Sequence, residues 1–161
     1  MSLIVSDNSP LNLLMRVGLA HILPQLFGHV LIPSEVAAEM RHPKAPQAVR
    51  DFLASPPTWL HIRSPQTILP LPQLDAGEAA AISLAVETSS ILLIDEQDGR
   101  AAALAHGLEI VGAIGVLERA ANEGLIADLQ QVHQKIRTLR FHVADAILNR
   151  SLARHFAQRK V

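Results

Sequence analysis

Two aspartates stand directly behind short apolar runs, Asp7 after Leu3-Ile4-Val5-Ser6 and Asp95 after Ile91-Leu92-Leu93-Ile94. In an open parallel sheet, ligands bind beyond the carboxyl ends of the strands, near the point where strand order reverses. If the two runs are neighbouring strands, both carboxylates enter one crevice. Carboxylates held together repel unless a shared proton or a cation compensates them, and a divalent metal is the simplest compensation. Taken singly, each aspartate is equally well explained as a turn former or helix cap. Only their joint placement points to chemistry.

Glutamates extend the set. Asp75-Ala76-Gly77-Glu78 has the spacing of a capping box, with Asp75 as the cap and Glu78 at the third helical position. A carboxylate in that first turn can also face a metal, and Gly77 permits close backbone approach. Glu35 and Glu39 are four residues apart and share one helix face, for which a solvated acidic stripe is the commoner meaning. Periodicity does not choose between them. Arg100, five residues beyond Asp95, is placed either to reach a phosphate or to stand as an exposed helix cation.

The elements that must position these groups alternate. Residues 3–6, 30–32, 59–62, 91–94 and 109–111 read as strands, the third as an edge. Helices are expected over 11–17, 19–27, 35–41, 47–54, 75–88, 98–106 and 112–122, with Gly124 ending the last. Ser9 is expected as an N-cap with Pro10 at the first helical position, and Pro24 at a break or a fresh start. Pro65, Pro70 and Pro72 mark 64–74 as a long loop. Residues 126–161 read as two helices, with Arg150, Arg154, Arg159 and Lys160 clustered near the end as a nucleic-acid footprint, an oligomer contact or a plain solvated terminus. The pattern predicts a doubly wound α/β fold, with an α/β core over 1–125 and a helical extension of the same domain over 126–161.

Composition narrows the chemistry. The 161 residues suit one compact domain, and 49% hydrophobic content excludes a disordered chain. The absence of cysteine excludes disulfides, thiolate zinc sites and cysteine nucleophiles. The eight histidines have no HxxxH or HxH spacing, which leaves zinc without support. No GxSxG, GxGxxG or P-loop pattern occurs. A net charge of −1 gives no general pull toward nucleic acid, so a polyanion must be recruited locally. No signal-peptide pattern and no apolar run of membrane-spanning length is present, which predicts a soluble cytoplasmic protein.

Four segments resemble the motifs of the PIN-domain family, in order and in spacing: Ile4-Val5-Ser6-Asp7-Asn8-Ser9-Pro10-Leu11, Ile32-Pro33-Ser34-Glu35-Val36-Ala37-Ala38-Glu39, Leu74-Asp75-Ala76-Gly77-Glu78-Ala79-Ala80-Ala81-Ile82 and Leu92-Leu93-Ile94-Asp95-Glu96-Gln97-Asp98-Gly99-Arg100. Val111-Gly112-Ala113-Ile114-Gly115 fits a little-characterised prokaryotic branch of it. The resemblance covers about residues 3–125, and the tail beyond falls outside it. It implies a three-layer α/β/α fold with a central, mainly parallel sheet and C-terminal helices. It also implies an acidic pocket in which Asp7, Glu39, Glu78 and Asp95 bind Mg²⁺ or Mn²⁺ and catalyse phosphodiester hydrolysis, usually of RNA. Glu96 and Asp98 compete as an extra acid, with Asp98 a further candidate metal ligand. Ser9 and Arg100 are candidate substrate-binding residues. Related proteins include toxins of toxin–antitoxin pairs, held by a small antitoxin, and many are homodimers. RNA is the expected partner, with single-stranded DNA as a second substrate and no membrane partner.

Two other classes compete. A nucleic-acid-binding or regulatory module of the same fold would keep the acids but turn over weakly or not at all. A phosphatase or receiver-like domain would also gather carboxylates on a metal. The former wants a DxD at the first strand, where Asp7-Asn8-Ser9 stands, and the latter a lysine after the last strand, yet none lies between Lys44 and Lys135.

Overall fold

The computed structural model describes residues 3–159. Lys160, one of the clustered basic residues, lies outside them. Five strands, β1 (Leu3–Ser6), β2 (His29–Ile32), β3 (Leu60–Ile62), β4 (Ile91–Leu93) and β5 (Ile110–Val111), form one parallel sheet in the order β3-β2-β1-β4-β5. The chain leaves β1 toward β2 and β3 and later returns to the other side through β4 and β5. Strand order therefore reverses between β1 and β4, whose ends carry Asp7 and Asp95. The two runs are neighbours, with Ser6 opposite Leu93 and the Asp7 N–H donating to the Leu93 carbonyl at 3.0 Å.

Strands β1 and β4 and residues 30–32 of β2 read as continuous apolar runs because both faces are covered there, whereas the edge strand β3 exposes His61 and Ile62. Side chains alternate: Ile4, Val30, Ile32, Leu60 and Leu93 enter the larger core, and Val5, Leu31, Leu92 and Ile94 the smaller. The larger core is closed by α1 (Asn8–Arg16), α2 (Ile22–Phe27), α3 (Ser34–Met40), α4 (Gln47–Ala54), α7 (Ala113–Asn122), α8 (Leu129–Thr138) and α9 (Asp145–Arg159). The smaller is closed by α5 (Ala76–Thr88) and α6 (Gln97–Ala105). Three layers result. In α5, the run Ala79-Ala80-Ala81 is buried, and its small side chains let the helix lie close to the sheet.

The helices of the tail pack back onto the core. Leu129 and Ile136 of α8 and Leu148 of α9 belong to the larger cluster. Arg154 ties α9 to α7 through two hydrogen bonds of 2.9 Å to the Glu118 carboxylate. One member of the terminal basic cluster is thus committed to holding the tail in place.

Two local expectations are corrected. Ser9 is not the N-cap of α1: the helix begins at Asn8, Asp7 is the cap, and Ser9 and Pro10 fall at the second and third positions. Proline is tolerated there because the first-turn N–H groups have no intrahelical partner in any case. For the same reason Pro24 sits in the first turn of α2, which starts at Ile22, so residues 19–21 form a turn rather than helix.

Candidate active site

Asp7 closes β1 and starts α1, and this position buries it: 4% of its surface is exposed. Burial pushes its carboxyl up from the usual 3.8 to about 7. The Asn8 backbone N–H works against the rise, and the charges of Glu78, Asp75 and Glu39 add to it. Three acids from two other helices therefore surround Asp7. Among the described residues none of Asp7, Glu39 and Glu78 forms an ion pair.

Glu39, near the end of α3, reaches over Gly77 in the first turn of α5. A Cβ at Gly77 would overlap Glu39 Oε1, so the carboxylate can lie there only because the residue is glycine. Asn8 Nδ2 donates to Glu39 Oε2 at 3.2 Å, fixing the side chain from the α1 side. Loss of solvent raises the Glu39 carboxyl, the Asn8 hydrogen bond lowers it, and Asp75 raises it again. Asn8 Oδ1 is buried without a hydrogen-bond partner. A neutral amide oxygen that the protein itself does not satisfy is a ligand of the kind a hard cation accepts.

Glu78 does form the capping box. Its backbone N–H donates to Asp75 Oδ1 at 2.8 Å, and the Asp75 N–H donates to Glu78 Oε2 at 3.4 Å. The long second bond leaves its carboxylate weakly held. Desolvation, then Asp75, then Glu96 push it up. Of the two competing acids of the fourth motif, it is Glu96 whose charge reaches Glu78. Glu96 Oε2 also caps α6 by accepting from the Gly99 N–H at 2.6 Å. Asp98 is exposed in the first turn of α6.

Asp95 stands beside Asp7 in the backbone, but its side chain turns to β5 and α7. Its Oδ1 accepts from the Ala113 N–H at 2.9 Å, at the start of α7. A Cβ on Gly112 would stand 2.6 Å from that oxygen, so glycine is required for the contact. Surrounding protein raises the Asp95 carboxyl, while the Ala113 hydrogen bond and the Arg100 charge lower it. Arg100 is pinned by a 2.8 Å hydrogen bond from Nη1 to the Ile94 carbonyl. Ser9 is exposed on α1.

Three of the four expected acids are thus brought together electrostatically, and the fourth faces an adjoining groove. As the side chains are placed, no group of three or more His, Asp or Glu residues among those described could hold a metal ion. The donor chemistry nonetheless fits a hard divalent cation. Carboxylate and amide oxygens dominate, the charges repel one another, and Glu39 and Glu78 sit on long side chains. Sequence reasoning did not single out Asn8, whose only signal was adjacency to Asp7, and it could not rank Glu96 over Asp98.

Among the described residues no helix is long and apolar enough to cross a membrane. Comparison with curated proteins finds no match. The sequence model of a family described as a PIN domain matches residues 3–156, so the tail, expected to fall outside the resemblance, lies within it almost to the end of α9. The ordered acids, the reversal of strand order between Asp7 and Asp95 and this match over nearly the whole chain agree: the protein belongs to the PIN-domain family.

Proposed function

We propose that the protein is a divalent-metal-dependent endoribonuclease, with Asp7, Glu39, Glu78 and Asp95 as its catalytic acids and Mg²⁺ or Mn²⁺ as cofactor. PIN domains are generally nucleases. The observation that carries the reading for this chain is Asp7, nearly sealed from solvent and facing three further acids, with its carboxyl raised to about 7. Acids crowded at a strand-order reversal hold a proton or a cation between them, and a divalent ion displaces that proton and compensates several of them at once.

Asp7, Glu39 and Glu78 would hold the ion, and Asn8 would orient Glu39 for it and add a neutral oxygen. Asp95, one oxygen fixed by Ala113, completes the set from the α7 side. A bound divalent ion polarises the phosphate and supplies a nucleophilic water at neutral pH. Arg100 has N–H groups beyond the one given to the Ile94 carbonyl, and these would meet a substrate phosphate. Ser9, exposed at the mouth of α1, would contact the substrate backbone. Asp98 is a peripheral candidate ligand. RNA is the first substrate and single-stranded DNA the second. Family resemblance supports a cytoplasmic toxin restrained by a small antitoxin, acting as a homodimer.

A second reading, a nucleic-acid-binding or regulatory module with weak or no turnover, is favoured by one observation: the acids as placed do not converge into a metal-holding group. Incubation of the purified protein with mixed RNA and single-stranded DNA in Mn²⁺, beside Asp7→Asn, separates the two. Metal-dependent cleavage lost in EDTA and in the variant supports the nuclease. Mn²⁺ binding with no cleavage supports the module, and equal cleavage by both proteins refutes the assignment of Asp7. Copurification of a small partner encoded beside the chain tests the toxin role.

A further inference from the structure

Beyond Asp95 a groove of about 530 Å³ opens between the β5–α7 junction and the tail. Ile114 lines it from α7, and Val143 and Ile147 line it from the tail. Asp95, Arg100, His142 and Arg154 supply its polar groups. The volume lies within the roughly 300–1,000 Å³ of small-ligand sites, and the apolar walls with a few polar groups are their usual lining.

Its charge decides what it takes. Arg154 is held by both oxygens of Glu118, and Arg100 stands beside Asp95. The lining is therefore close to neutral, and a second phosphate would gain little there. A neutral, planar ring would bury apolar surface against Ile114 and Ile147 and meet the hydrogen-bonding edge of His142. The groove shares Asp95 with the acidic site, so a nucleotide whose phosphate sits among the acids has a neighbour within reach of it.

We propose that this groove receives the nucleobase of a nucleotide flanking the scissile phosphate, which rests on the nuclease reading above for its register. The base must be unstacked to enter, so the substrate is single-stranded at that nucleotide. The C-terminal helices, by this account, form one wall of a base-binding subsite.

The test is abasic scanning. Fluorescein-labelled oligoribonucleotides, each lacking one base, are bound to the wild-type chain in Ca²⁺ and followed by anisotropy, with cleavage in Mn²⁺ measured in parallel. Loss of the base at one position should weaken binding about tenfold, the scale of roughly 55 Å² of apolar surface returned to water at about 25 cal/mol per Å². Ile147 is 41% exposed on α9, so Ile147→Trp fills the groove without disturbing the core. It should weaken the intact oligomer by a similar factor and erase the abasic effect, and circular dichroism checks its fold. No abasic effect at any position, an effect undiminished in Ile147→Trp, or no oligomer binding at all overturns the proposal. A groove response without cleavage in Mn²⁺ overturns the nuclease reading and leaves the subsite standing.

Discussion

Replacing Asp7 by Asn should stabilise the metal-free protein, increasingly so as pH rises. The folded state holds the Asp7 proton up to about pH 7, whereas the unfolded chain releases it near 3.8. The unfolded state therefore binds fewer protons between these values, and stability falls as pH climbs through that window. At 1.36 kcal/mol per pH unit, the full span is worth about 4 kcal/mol, of which about 2.5 kcal/mol accrues between pH 5 and pH 8. The amide cannot ionise and escapes this loss. Thermal and urea unfolding of both proteins in EDTA at pH 5, 6, 7 and 8 reads it directly. The variant should gain on the wild type by roughly 5–10 °C in Tm across the series. A pH-independent difference, or a wild type that gains on the variant with rising pH, refutes the burial and charge crowding assigned to Asp7.

Gly77→Ala places a methyl group where Glu39 Oε1 now lies. Since alanine favours helix over glycine by about 1 kcal/mol, stability should hold or rise while Mn²⁺-dependent cleavage falls at least about tenfold. Intact kinetics in the folded variant would detach Glu39 from the reaction. His133 is 1% exposed, and both ring nitrogens lack partners. Burial, then the Arg137 charge, lower its pKa against an opposing Glu118. The unfolded chain thus takes up a proton near 6.5 that the folded state resists, so stability contributed by neutral His133 is lost as pH falls through that range. His133→Leu should raise urea stability by about 1–3 kcal/mol, more at pH 5.5 than at pH 8. A variant less stable at both values would mean that a bound water satisfies the ring.

The sheet was legible because β1, β2, β4 and β5 are short apolar runs followed closely by a turn former, and because two aspartates in equivalent positions mark neighbouring strand ends. The start of α1 was misread because Asp7, Asn8 and Ser9 are all good caps and Pro10 fits any position of the first turn. Only the run of β1 into the helix, which carries Asp7 as the cap, decides among them. Glu39 was separable from Glu35 only by resemblance. In the fold the distinction is physical, since Glu39 lies over Gly77 and is held by Asn8. The orientation of Asp95 was hidden for a similar reason: its partner is the N–H of Ala113, eighteen residues away, and no local pattern announces that contact. The tail carried no recognised motif, and no local pattern announces that its Val143 and Ile147 line a groove together with Ile114.

Titration of the purified protein with Mn²⁺, followed by the loss of the free-ion electron paramagnetic resonance signal, addresses the acidic site most directly. The wild type should take up Mn²⁺ at this site, and Asp7→Asn, Glu39→Gln and Glu78→Gln should each weaken uptake at least about tenfold, or about 1.4 kcal/mol. Undiminished uptake in all three folded variants would contradict the claim that these carboxylates gather to hold a catalytic cation.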